Sequence, residues 1–295
     1  MKHHHFFTFV VALILVFVFS QCQNQSREDQ ELNRNAIAQA EQLAGLEFTR
    51  AERDSMLENV RGHLADYRKN RETVLENAVA PATVFDPVPG WMDVPRTQEN
   101  ISWGQVSDVA RPENDSELAF YPLPKLASLI RSGKVTSEEL TRIYLQRLKQ
   151  YGDTLNCVIT LTEELALQQA RQADHEIAAG NYRGPLHGIP YGLKDLIKVE
   201  GYKTTWGAAP FKDQQLEGSA TVYKKLKEAG AVLVAKLSMG ALAWGDVWFG
   251  GTTKNPWDLE QGSSGSSAGS ASATSAGLVG FSLGTETYGS IVSPS

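Results

Sequence analysis

The sequence predicts an α/β domain, with helices packed on the faces of a central sheet, preceded by a helical N-terminal extension. Three observations carry this expectation. From about Glu117 onward, stretches with helical periodicity alternate with short apolar runs. Residues 231–237 (AVLVAKL) read as a strand buried on both sides, as a sheet covered by helices on both faces requires. The chain before residue 117 has helix-periodic and proline-broken stretches instead.

The elements follow in order. Residues 1–21 read as a signal peptide: Lys2 precedes an apolar run over 6–19, which is shorter than the ~20 residues a spanning helix needs. The stretch FVFSQC resembles a lipoprotein cleavage site with Cys22 as the acylated residue. An exported, membrane-anchored protein, periplasmic or on the outer cell surface, is the expectation; an uncleaved N-terminal anchor is the alternative. The histidines after Lys2 resemble a short tag and receive no function. Residues 22–80 form the helical extension, in which Thr49-x-x-Glu52 is a capping box and Met56, Val60, Leu64 and Tyr67 recur at helical spacing. That stripe is read as packing. Prolines at 81, 87, 89, 95 and 112 make 81–116 a proline-rich linker, with Trp91 and Trp103 expected to pin it onto a surface.

Residues 117–295 form the main domain. Thr136-x-x-Glu139 caps a helix whose inner face is Leu140, Ile143, Tyr144, Leu148 and Tyr151. A short strand over 157–161 follows. Ala166, Ala170, Ala173 and Ile177 then mark a helix stopped by Gly180. The stretch 187–194 is apolar and interrupted by Pro and Gly. Val222, Leu226 and Ala229 form the next helix face, ending at Gly230, and residues 278–283 give a further strand.

Composition removes several function classes. At 295 residues and 42% hydrophobic the chain is long enough for a real core. A net charge of -6 argues against nucleic acid binding through a basic surface. Cys22 and Cys157 are the only cysteines, too few for a disulfide framework or a zinc cluster, and Cys157 reads as a small buried hydrophobe. No metal site, phosphate loop or dinucleotide fingerprint is present, so no cofactor is expected.

Chemistry concentrates at Lys194 in GIPYGLKD, Ser266 in QGSSGSSAG and Ser290 in LGTETYGSI. A serine hydroxyl needs an adjacent base to attack a carbonyl. A lysine can be that base only when uncharged, because an ammonium has no acceptor. Leu193, Leu196 and Ile197 provide an apolar setting that favours the neutral amine, whereas Asp195 would oppose it if it faced Lys194. The sequence Gly265-Ser-Ser267-Ala-Gly269 also matches the nucleophile elbow of Ser-His-Asp hydrolases. That elbow must follow a buried strand and needs a histidine downstream, and none occurs after His187, which is read as structural.

The segments GPLHGIPYGLKDLI, KLKEAGAVLVAKLSM and GGTTKNPWDLEQGSSGSSAGSASATSAGLVGFSLGTETYGSIVSPS together resemble the amidase signature family, from about Leu118 to the last residue. The resemblance implies a mixed central sheet and hydrolysis of a carboxylic amide (esters included) by a Ser-cisSer-Lys triad. Aligning Gly284-Thr285 with the family's Gly-Thr pair makes Ser290 the nucleophile, Ser266 the middle serine after a cis peptide, and Lys194 the base. It also implies an oxyanion hole from the backbone N–H groups of Thr287, Tyr288, Gly289 and Ser290, although glycine often stands where this chain has Tyr288. Family members run considerably further, so the chain reads as the N-terminal part of a longer enzyme. The substrate is a small-molecule amide; nucleic acid is not a partner, and oligomerisation is left open. Two other readings stand beside this one: the transamidating subunit of a tRNA-dependent amidotransferase, and an idle surface lipoprotein.

Overall fold

The computed structural model describes residues 32–76, 79–88, 90–94, 97 and 109–295. The signal stretch, Cys22, Pro89, Pro95 and Trp103 lie outside the described residues. The chain divides into two units, Met1–Gln98 and Glu99–Ser295.

In the first unit, helices α1 (Arg34–Ala44) and α2 (Arg50–Glu72) are broken apart at Gly45, whose φ of 66° closes α1. Thr49 starts α2 with the expected capping box: Thr49 N donates to Glu52 Oε2 at 2.7 Å and Glu52 N to Thr49 Oγ1 at 3.3 Å. Arg53 forks onto the carboxylate of Glu41 at 2.6 and 2.7 Å, tying the two helices together. The apolar stripe is only half-buried at Met56, Val60 and Leu64, and Tyr67 is exposed. Trp91 does not pin its stretch as expected: it is 83% exposed, with Val84 and Phe85 exposed beside it in sequence. Among the described residues of 81–94 none is a buried hydrophobe.

The second unit is the α/β body. It begins with a 3-10 turn at Asp115–Phe120, then α3 (Leu123–Arg131), α4 (Ser137–Leu155), β1 (Val158–Leu161) and α5 (Glu163–Ala178). There follow β2 (Pro190–Lys194), α6 (Thr221–Glu228) and β3 (Val232–Leu237). Two small hairpins, β4–β5 (Val247–Trp248, Gly251–Thr252) and β6–β7 (Lys254–Asn255, Asp258–Gly262), precede α7 (Ala268–Ser275) and β8 (Phe281–Leu283). The main sheet has the order β1-β3-β2-β8. β1 runs antiparallel to β3, while β3, β2 and β8 are mutually parallel, so the sheet is mixed as expected.

Alternation along β3 explains how both sheet faces are covered. Val232 and Val234 join Leu145 and Leu148 of α4, Ala166 and Ala170 of α5 and Ala273 of α7 in one cluster. Leu233 points the other way, to Tyr191 and Leu193 of β2 and Tyr223 and Leu226 of α6. Each fully buried aliphatic chain of this kind contributes about 1.5–3 kcal/mol. A third cluster seats α3 and α4 around Leu126, Leu129, Leu140, Tyr144 and Ile189. Tyr151 and Val222, expected on inner faces, are 39% and 38% exposed, at the edges of their stripes.

Because β3, β2 and β8 are parallel, they end at the same edge of the sheet, at Leu237, Lys194 and Leu283. In open α/β sheets, ligands bind outside the carboxyl ends of the strands.

Candidate active site

Lys194 is the last residue of the central strand β2 and is fully buried. Its Nζ lies 2.8 Å from Ser266 Oγ, 2.8 Å from Thr285 Oγ1 and 3.0 Å from Ser267 Oγ, with Thr285 O at 3.5 Å. Ser266 Oγ is 3.0 Å from Ser290 Oγ. The structure therefore brings Lys194, Ser266 and Ser290 into one hydrogen-bonded series, from a strand end, a loop and a turn.

Each group is positioned by its own element. The 263–266 loop leads into α7, and the Gly265–Ser266 peptide is cis. Gly265 is required there, because a Cβ would fall 2.0 Å from Gly245 O. Ser266 is 1% exposed, and its carbonyl accepts from Gly240 N at 3.2 Å. The turn after β8 carries Ser290, which is half-buried. Gly289 precedes it at φ 95°, a conformation that side chains rarely adopt. Ser267 N donates to Ser290 O at 2.9 Å, fixing loop to turn.

The hydrogen-bond partners of Lys194 can accommodate the uncharged amine. Ser267 Oγ donates to Thr285 O (3.2 Å) and accepts from Thr285 N (3.2 Å), so towards Lys194 it can act only as an acceptor. A neutral amine has two N–H donors and one lone pair. Donation to Ser267 Oγ and Thr285 Oγ1 leaves the lone pair for the Ser266 hydroxyl, which can in turn accept from Ser290. Hydroxyl hydrogens rotate to suit either sense of the series. Among the described residues no carboxylate stands within ion-pair distance of Nζ. Burial pushes the Lys194 amine down to about 8, and the charge of Glu286 opposes that fall. The start of α7, at Ser267, directs the positive end of the helix dipole to the same place, again disfavouring a cation.

Asp195, which would have favoured the charged amine, is turned away: Thr205 N donates to its Oδ2 at 2.7 Å, and Lys236 Nζ stands 2.6 Å from its Oδ1. Strand alternation explains the opposite directions of residues 194 and 195.

The four expected oxyanion donors are not equally available. Gly289 N donates to Glu286 Oε1, and Ser290 N does so at 2.9 Å; Ile291 N and Val292 N (3.2 Å) donate to Oε2. These bonds, that from Ile291 first, hold the Glu286 carboxyl below the usual carboxylate range. The backbone N–H groups of Thr287 and Tyr288 have no acceptor among the described residues. Tyr288 is 88% exposed, so its ring does not fill the site. Sequence reasoning missed Ser267, Thr285 and Glu286 as contacts of the series; their signals were the second serine of the SSAG stretch and the Thr-Glu pair of GTETYGS.

The rival elbow has no support here, because the β7 strand before Gly265–Gly269 is exposed along most of its length. His187 lies before the N-terminal end of β2, at the opposite edge of the sheet from Lys194. It is buried, accepts from Arg183 N at 3.1 Å through Nδ1 and has Nε2 3.3 Å from Glu176 Oε2, a structural setting. Among the described residues no group of three or more His, Cys, Asp or Glu side chains could hold a metal ion.

Known proteins share both the sequence and the fold of this region. The family model described as Amidase matches residues 139–295. A glutamyl-tRNA(Gln) amidotransferase subunit from Moorella thermoacetica is 38% identical over 181 residues, covering 60% of this chain and 37% of that protein. The corresponding subunit from Pseudomonas syringae pv. tomato is 42% identical over 175 residues, covering 58% and 36%. The native peptide amidase of Stenotrophomonas maltophilia superposes with a TM-score of 0.57 at 35% identity, over 61% of this chain and 39% of that one. The chain thus spans a little over a third of the length of these curated relatives.

Proposed function

The chain belongs to the amidase family, and from that premise we propose that it hydrolyses a carboxylic amide through an acyl-enzyme on Ser290. Ser290 Oγ attacks the carbonyl carbon as its proton passes to Ser266, whose own proton passes to the uncharged Lys194 amine. The tetrahedral adduct collapses, the C–N bond breaks, and the leaving nitrogen takes a proton back through the same relay. Water, deprotonated by the same groups, then attacks the ester carbonyl, releasing the acid and restoring Ser290. Esters fit the same scheme, because only the leaving atom changes. Backbone N–H groups over 287–290 would hold the oxyanion; those of Gly289 and Ser290 become available once Glu286 yields them. Preorganised donors of this kind contribute ~2.7–4 kcal/mol each.

The observation that carries this reading is the series of 2.8 and 3.0 Å contacts ending at Ser290, headed by a buried amine with no carboxylate partner among the described residues. The transamidating reading keeps the same chemistry with ammonia transferred rather than released, and the identity with amidotransferase subunits favours it as the second choice. Export is part of the proposal, with anchoring through Cys22 outside the cytosol, and it weighs against a tRNA-dependent role.

The test is release of ammonia from simple primary amides. The native chain should release it, while Ser290→Ala and Lys194→Ala should each lose at least ~100-fold in rate, as removal of a positioned acid–base group does. Turnover of Ser290→Ala at the native rate would remove the assignment.

A further inference from the structure

A second lysine is buried on the other face of the same strand ends. In the β2–β3 ladder Leu193 pairs with Lys236 and Lys194 with Leu237. The register shift between Tyr191 and Gly192 places Lys236 on the Leu193 face of the sheet, which Asp195 shares by alternation, while Lys194 lies on the other. Both Lys236 and Asp195 are 0% exposed. Besides its 2.6 Å ionic contact with Asp195 Oδ1, Lys236 Nζ donates to Lys203 O at 2.7 Å and Thr204 Oγ1 at 2.8 Å. Asp195 Oδ2 accepts from Thr205 N and Oγ1, and Asp195 N donates to Leu237 O at 2.9 Å. Taking two charges out of water is costly, and replacing a buried ion pair by apolar residues of similar volume is often neutral or stabilising.

We infer that Lys236 is a positioning residue for the reaction, cancelling and holding away the Asp195 charge that would otherwise favour a protonated Lys194. This rests on the reading of Lys194 as the base. The groups facing Lys194 directly are the hydroxyls of Ser266, Ser267 and Thr285, with the Glu286 charge acting from the turn. Asp246, the other carboxylate at the loop, is engaged by Ser264 N at 2.9 Å. Asp195 is the carboxylate closest in sequence, and Lys236 is the cation that compensates it. The Lys236 amine is itself held below its ordinary range by burial, against the raising effect of Asp195.

The test follows the pH dependence of inactivation of the full chain by a fluorophosphonate probe, which requires no knowledge of the substrate. In the native chain the rate should rise through a limb near the Lys194 value of about 8. Lys236→Met leaves the carboxylate uncompensated and should move that limb up by roughly one pH unit with the high-pH plateau within about twofold. The double variant Lys236→Met with Asp195→Asn should return the limb to its native position. A limb that stays in place in Lys236→Met while the plateau falls, or a double variant that keeps the shift, overturns the inference and leaves Lys236 a packing residue. If Lys236→Met does not fold, Asp195→Asn decides. It keeps Lys236 on its two oxygen acceptors and should lower the limb; an unmoved or raised limb overturns the inference. Absence of labelling in the native chain, or labelling that Lys194→Ala does not slow, sinks the underlying reading instead, so the two failures are distinguishable.

Discussion

At the scale of single residues, Lys194 is buried like a core side chain and hydrogen-bonded only to oxygen groups that carry no charge. A protonated lysine in that setting would lack an ion-pair partner. A neutral one can make all three short contacts, two by donation and one by acceptance. The sign of the pH dependence follows. Burial holds the amine below its ordinary range, and in the proposed mechanism its uncharged form is the base, so rates should fall tenfold per unit below about pH 8 and level off above it. Glu286 acts against this by favouring the charged amine. Glu286→Gln should therefore move the limb to lower pH, measured as the rate of amide turnover against pH; a limb displaced upward would contradict the electrostatic assignment. The sequence showed Lys194, Ser266 and Ser290 because each sits in a distinctive local motif. It did not show Ser267 and Thr285, whose roles exist only where they meet an amine 73 and 91 residues away. The occupancy of the Gly289 and Ser290 N–H groups by Glu286 was equally out of reach, since any exposed glutamate in a turn reads as solvated.

Secondary-structure elements divide in the same way. The helix starting at Thr136 was legible from its capping box and apolar face, and both are present: Thr136 N donates to Glu139 Oε2 at 2.8 Å and Glu139 N to Thr136 Oγ1 at 3.1 Å. Thr136→Ala should cost about 0.5–2 kcal/mol and lower the melting temperature by a few degrees without changing turnover per folded molecule. An unchanged melting temperature would show that the cap is redundant with the packing of Leu140 and Tyr144. The α7 helix was not legible, because ASATSA has no apolar stripe for periodicity to detect. Its small residues let it approach the sheet closely instead, with Ala273 fully buried. The α3 helix was hidden behind Pro122 and Pro124, which are tolerated because a first helical turn leaves its N–H groups unpaired anyway. The direction of β1 also escaped the sequence: a four-residue apolar run does not encode whether its neighbour runs parallel or antiparallel.

For the molecule as a whole, alternation of helix and strand was enough to fix the layered α/β architecture, since each apolar face must be buried against another. The parallel ends of β2, β3 and β8 then gather the Lys194, Ser266 and Ser290 segments at one edge, where motifs distant in sequence converge. The proposed export and anchoring of the protein rest on the N-terminal stretch alone. Cys22→Ser should shift the protein from the membrane to the soluble fraction on cell fractionation, and retention at the membrane would rule out a lipid anchor at that cysteine.

The central claim is that the Ser290 hydroxyl is made nucleophilic by an uncharged Lys194 acting through Ser266. Peptide mass spectrometry after fluorophosphonate treatment at about pH 8, where the Lys194 amine titrates, tests it most directly. The adduct should map to Ser290 and disappear in Lys194→Ala. An adduct on Ser264, Ser266 or Ser293 instead, or undiminished modification of Ser290 without Lys194, would contradict it.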